Sequence, residues 1–169
     1  MVSPIEWGPN AWQLLHGIAE RVGNHQILTI QRDEQNALKN VLKTLWGLLP
    51  CKTCQDHYKE WIRKNPPEAF TNKAGGYLQE DIRTWVFNLH EAVNDRNAIT
   101  RELEDNQAIL KPKFNPEMLQ STYATVNLRE CASNLKSVYQ RGIQTGVLKP
   151  EEWKAAWRHL DLLLRFIGV

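Results

Sequence analysis

Pro50 closes one helical stretch of this chain, and Cys51 and Cys54 stand at the start of the next. Proline disfavours helical backbone in the residue before it, so the chain turns there and begins a new helix. Two cysteines, two residues apart, are thereby set at a helix N-terminus. Such a pair can close a small disulfide. The free backbone N–H groups and the positive end of the helix dipole favour its thiolate form. The run Leu-Leu-Pro-Cys-Lys-Thr-Cys-Gln-Asp-His-Tyr, from Leu48 to Tyr58, is therefore suited to repeated oxidation and reduction.

Composition narrows what surrounds that pair. With 169 residues, 42% of them hydrophobic, the chain can bury one core of its own. Its 21 basic and 19 acidic residues leave a net charge of +2, which supplies no footprint for nucleic acid and no patch for a membrane surface. No apolar run approaches the ~20 residues of a membrane span. The start, Met1 to Trp7, has neither the layout of a secretory signal nor that of an Arg-rich presequence. Three cysteines are too few for a disulfide scaffold, and one pair with a leftover, Cys131, fits a redox pair better. The 7 tryptophans fill a helical core or wall a flat ligand; the count alone does not choose.

The apolar spacing is helical nearly throughout, and no strand pattern stands out. A first helix is expected with Pro9 at its start and Gly23 past its end, carrying Trp12, Leu15, His16 and Ala19 on one face. A second is expected from Asp33, with Leu38, Val41, Leu42, Leu45 and Trp46 as its stripe. A third spans Cys51 to Arg63, and a loop at Gly75 and Gly76 precedes a fourth from about Leu78 to Arg96. Residues Asn97 to Gln107 are polar and read as a surface insertion. Pro116 opens a helix reaching roughly to Arg141, and Pro150 with Glu151 and Glu152 opens the last, which Gly168 closes.

A Cys-x-x-Cys between helices has more than one meaning. Zinc sites pair two short ligand motifs, so Cys51, Cys54, His57 and His90 make an incomplete pattern for a zinc-binding module. Two buried thiols without chemistry are a further option. Other residues point to a flat cofactor. Trp12 and His16 lie four apart on one helix face, and His90 and Asn94 do the same on another. His57 follows Cys54 by one turn, and Trp85 precedes His90 by about a turn and a half. Aromatic rings, imidazoles and amides gathered from several helices suit a planar heteroaromatic group.

At these residues the chain resembles the Erv/ALR family of flavin-dependent sulfhydryl oxidases. Trp7-Gly-Pro-Asn-Ala-Trp12-Gln-Leu-Leu-His16 is similar to the family's opening helix motif. Pro50-Cys-Lys-Thr-Cys-Gln-Asp-His-Tyr58 resembles its active-site disulfide. Trp85-Val-Phe-Asn-Leu-His90-Glu-Ala-Val-Asn94 is similar to its flavin-adenine helix, and Lys111-Pro-Lys-Phe114 to the segment that follows. The four pieces occur in order over roughly residues 5 to 115.

The resemblance implies an all-α fold, a four-helix bundle over residues 1–115 with FAD held at its mouth. It implies Cys51 and Cys54 as the catalytic pair, with Cys51 meeting the substrate and Cys54 beside the flavin. The implied cofactor contacts are Gly8, Trp12, His16, Cys54, His57, Trp85, His90, Val93, Asn94, Lys111 and Lys113, with no metal ligand. The implied reaction oxidises protein dithiols, sending electrons through the disulfide to FAD and on to O2, which yields hydrogen peroxide. The family is usually homodimeric. A degenerate oxidase fold kept as an interaction scaffold is the remaining alternative.

Several positions depart from the family pattern. Glu91 stands where an Asn is usual, residues 95–110 separate Asn94 from the lysines, and Phe87 replaces a common structural cysteine. Cys131 has no partner for an intrachain shuttle disulfide, so it is either buried and inert or paired outside the chain. Substrate would then meet Cys51 directly, as in short members from large DNA viruses. Infected-cell cytoplasm or virion, or else the mitochondrial intermembrane space, are the expected locations. Residues 116–169 fall outside the four resembling pieces and read as extra C-terminal helices. Their apolar surplus packs on the bundle or on a second subunit.

Overall fold

Ser3 caps the first helix, α1 (Pro4–Ala19), its Oγ accepting the Ile5 N–H at 3.3 Å. Pro4, not Pro9, takes the position where a missing N–H costs nothing. Pro9 lies inside the helix, and the carbonyl it leaves without a donor belongs to the exposed Ile5, where water can serve it. The computed structural model describes residues 2–105 and 113–169, with 98–105 as backbone alone. Among these residues the chain is helix and turn, in keeping with the all-α expectation.

The remaining helices are α2 (Leu28–Thr44), α3 (Lys52–Lys64), α4 (Gly75–Asp105), α5 (Pro116–Tyr123), α6 (Leu128–Asn134), α7 (Lys136–Gln144) and α8 (Pro150–Phe166). Three differences from the sequence reading have physical causes. α2 begins a turn before Asp33, because Ile27 is already extended and its carbonyl takes the Gln31 N–H at 2.9 Å. α4 starts at Gly75 and runs on through residues 97–105, where polarity does not interrupt it. Ala98, Arg101, Glu102, Leu103 and Glu104 are good helix formers, and neither glycine nor proline intervenes.

The stretch from Pro116 to Arg141 is three helices rather than one. Asn115 and Asn127 each accept a backbone N–H three residues on, at 3.1 and 3.0 Å, and so start α5 and α6. Between them, Arg21 on the α1 exit donates to the carbonyls of Tyr123 and Val126. Those carbonyls are taken by a tertiary donor, and the helix ends where they are.

α8 lies along α2 and reaches the short 3-10 turn Leu45–Leu48, while α1 packs against α4, α5 and α6. Two glycines let these layers approach. A Cβ at Gly17 would fall 2.4 Å from the Leu128 side chain, and one at Gly47 would fall 3.0 Å from the Glu152 carbonyl. The apolar interior is continuous across both halves of the chain. Leu38 and Leu42 of α2, Ile82 of α4, Leu128 of α6 and Leu160 and Leu164 of α8 are essentially unexposed members of one cluster. A buried ion pair also ties α4 to the end of α1: Arg83 donates to both Glu20 oxygens at 2.7 and 2.6 Å. Removing either partner would strand a charge away from water.

A shared core has a measurable consequence. Leu164→Ala is expected to lower the unfolding free energy by about 2–5 kcal/mol. Chemical denaturation should show one transition, and separate melting of the C-terminal helices from the rest would contradict a common core.

Candidate active site

Cys51 is the residue that begins α3. Its backbone is extended (φ −154°, ψ 115°), and its Sγ accepts the Cys54 N–H at 3.3 Å, so sulfur takes the place an oxygen fills in an ordinary cap. Cys51 and Cys54 form a disulfide across this first turn, with Cα atoms 5.2 Å apart. Both residues are half-buried, and Thr53 Oγ1 lies 3.2 Å from Cys51 Sγ. When the bond opens, thiolates at this place face the uncompensated N–H groups and the dipole of α3.

The turn is held from beneath. Gln55, buried directly after Cys54, donates from its carboxamide to the Leu49 carbonyl at 2.8 Å and to the Val147 carbonyl at 3.2 Å. One amide thus joins the segment before Pro50, the start of α3 and the loop between α7 and α8. Behind it Gly142 admits Leu148, whose Cδ1 would lie 2.7 Å from an added Cβ, with Pro50 3.4 Å away. Tyr58, one turn further along α3, donates its hydroxyl to the Leu42 carbonyl, and burial pushes its ionisation well above the usual range.

A second group gathers on α1, α4 and α5. Trp12 stacks on His90 with ring centroids 3.9 Å apart and planes 10° from parallel. His16 lies between His90 and Tyr123: its Nε2 is 3.0 Å from His90 Nδ1, and its ring stacks on Tyr123 at 4.3 Å. Burial pushes His16 down to about 4, with the neighbouring His90 adding to it, and burial lowers His90 as well. Both imidazoles are therefore neutral near pH 7, and the hydrogen bond between them needs one donor and one acceptor nitrogen.

The surroundings have features that suit a planar partner. The Trp7 indole N–H is buried without an acceptor, and space is open beside the neighbouring Gly8. Asn94 and Val93 lie on an exposed side of α4, where Glu91 accepts from the Asn94 amide at 3.3 Å. The residue that departs from the family pattern thus holds the one that matches it. Phe114 meets Phe87 of α4 edge-on at 5.2 Å, and the exposed Lys113 precedes it in the chain; Lys111 lies outside the described residues.

The other expected residues sit elsewhere on the same helices. His57 is exposed on α3. Trp85 packs edge-on against Trp61 at 4.8 Å and donates its indole N–H to the Asn65 carbonyl at 3.0 Å, near the far end of α3 from the disulfide. Cys131 is buried on α6, its Sγ 3.4 Å from Gln13 Oε1, and burial pushes its thiol up. Among the described residues no three His, Cys, Asp or Glu side chains converge, so the zinc reading of Cys51, Cys54, His57 and His90 lacks a donor set. Gln55 and Tyr123 were not among the expected site residues. Gln55 carried a faint signal, being polar and four residues after Cys51; nothing local ties Tyr123 to His16.

Comparison with known proteins bears on residues 9–115, which match the model of the Erv1 / Alr family. The chain is 28% identical over 93 residues to the FAD-linked sulfhydryl oxidase ERV1 of Arabidopsis thaliana, covering 55% of this chain and 43% of that protein. It is 26% identical over 95 residues to a FAD-linked sulfhydryl oxidase, 096R, of Invertebrate iridescent virus 3 (56% and 58%). A third, 347L of Invertebrate iridescent virus 6, is 29% identical over 98 residues (56% and 82%). The chain spans less than half the length of the plant relative. No solved structure gives a significant match.

The burial of His16 fixes a pH dependence. Unfolded, its imidazole takes a proton near pH 6.5; folded, not until about 4. Keeping it neutral therefore carries no protonation penalty above pH 6.5, and the contribution of His16 to stability falls as pH drops from 6.5 towards 4, by about 2–3 kcal/mol at pH 4.5. Urea unfolding at pH 7 and 4.5 reads this. His16→Phe is expected to lose most of that difference, and an unchanged pH dependence would contradict a buried neutral imidazole.

Proposed function

Since the chain belongs to the Erv1 / Alr family, we propose that it is an FAD-linked thiol oxidase that introduces disulfides into protein dithiols. The observation that carries this reading is the Cys51–Cys54 disulfide closed over the first turn of α3. A substrate thiolate attacks Sγ of Cys51. The Cys51–Cys54 bond breaks, a mixed disulfide forms on Cys51, and Cys54 leaves as a thiolate that the α3 N-terminus stabilises. A second substrate thiolate attacks the substrate sulfur of the mixed disulfide and releases Cys51 as a thiolate. The substrate has lost two electrons and two protons; the cysteine pair has gained the electrons.

Trp12, His16, His90 and Tyr123 would hold the flat rings of FAD, with the open space at Gly8 and the unpartnered Trp7 N–H beside them. Neutral imidazoles fit that duty, since they stack and exchange hydrogen bonds without adding charge. When bound, FAD supplies a two-electron acceptor for the reduced pair and a route to O2. Asn94, Val93 and Lys113 belong to the same reading through α4, and Lys111, His57 and Trp85 through the family resemblance alone. A homodimer belongs to it as well. Among the described residues no helix is long and apolar enough to cross a membrane.

An oxygen electrode with a small dithiol, beside the visible spectrum and sedimentation of the same sample, tests this. Wild type should be yellow, dimeric and oxygen-consuming. Cys54→Ala should stay yellow and lose turnover by at least about a thousandfold, while Cys131→Ala keeps near-normal turnover. Wild-type turnover in Cys54→Ala would overturn the assignment, and a colourless protein would remove the cofactor.

A further inference from the structure

The disulfide turn borders a groove that the chemistry above does not use. It has a volume of about 360 Å³, and its walls come from α3 and from the loop that leads into α8. Lys52, Gln55 and Lys59 line it from α3; Gly146, Lys149 and Glu152 line it from the other side. Three ammonium groups face one carboxylate, so the groove carries net positive charge in a chain that is close to neutral.

Position matters more than the charge alone. Lys52, Gln55 and Lys59 are spaced three and four apart and share one face of α3. Cys51, the extended cap residue, leads directly into Lys52 at the near end of that face. Cys54, one residue before Gln55, is turned about 100° away from it. A polypeptide lying in the groove therefore runs up to the disulfide turn through Lys52, the residue that follows Cys51.

The cations are available to an incoming partner. Lys52 pairs with Asp56 at 3.0 Å, but the two side chains are 68% and 56% exposed. Lys149 and Glu152 are 3.7 Å apart with 75% and 38% exposed. Pairs this wet contribute little and can be exchanged for a substrate carboxylate. Lys59 sits 3.9 Å above the Trp46 ring, which holds its ammonium in place without cancelling its charge.

We propose that this groove docks an acidic, extended segment of the protein substrate next to its reactive cysteine. The proposal rests on Cys51 being the attacked sulfur. From Cys51 to Lys59 is roughly 12 Å along the α3 axis, which an extended strand spans in three to four residues. The preferred substrates carry Asp or Glu within about four positions of the attacking cysteine.

Fluorescence anisotropy of a labelled, cysteine-free peptide with four acidic residues tests binding without any turnover. The acidic peptide should bind at least about tenfold more tightly than a lysine-rich one at low salt, and the advantage should shrink at high salt. Lys59→Glu with Lys149→Glu should remove it. With cysteine-containing versions of both peptides, the acidic-over-basic ratio of kcat/KM should fall about tenfold in the double variant, mainly through KM. A ratio equal to that of wild type, or equal binding of the two peptides, overturns the proposal. So does a single-stranded oligonucleotide that displaces the acidic peptide at lower concentration than unlabelled peptide does. Failure of wild type to oxidise a small dithiol would defeat the oxidase reading instead, and the anisotropy would still report on the groove.

Discussion

One sulfur performs two structural tasks at the start of α3. Cys51 Sγ accepts the Cys54 N–H as a helix cap and is covalently joined to the sulfur of the residue it caps. The consequence is that a thiolate released when the bond opens forms at the N-terminal end of a helix, where it is favoured. The redox bond and the helix cap thus share one sulfur. Everything else around the turn serves to keep it in place: Pro50 sets the entry, Gln55 straddles two carbonyls beneath it, and Tyr58 ties α3 to α2.

The C-terminal helices enter this arrangement directly. Val147 supplies one of the two acceptors for Gln55, Leu148 packs into the space left by Gly142 beside Pro50, and α8 covers α2 and the 3-10 turn that leads to the cysteines. On the other side, Arg21 and the His16–Tyr123 stack fasten α5 and α6 to α1. Residues 116–169 lie beyond the family match, yet they complete the support of the disulfide turn and one wall of the aromatic group. They also supply half of the lysine-lined groove.

Much of this was legible in the order of residues because it rests on local rules. Proline and the cysteine spacing marked the start of α3, and Pro150 with two acidic residues marked the start of α8. Trp12, His16 and His90 were recognisable from helical spacing and do meet. What was missed depends on contacts between distant elements. The break between α5 and α6 is set by the Asn127 cap and by Arg21, over a hundred residues away from the carbonyls it takes, and no proline or glycine announces it. The continuation of α4 was hidden because a polar stretch was equated with a loop, although its residues favour helix. Gln55 and Tyr123 gain their roles from partners that only the fold brings near.

The central claim is that electrons pass between the Cys51–Cys54 pair and a flavin held by the α1–α4 aromatic group. Anaerobic addition of a small dithiol to the flavin-loaded protein, followed through the visible flavin band, tests it most directly. Bleaching with about one equivalent of dithiol in the native chain, and none on the same timescale when both cysteines are replaced by serine, is expected. A bound flavin that bleaches equally fast without the two sulfurs, or not at all with them, would contradict it.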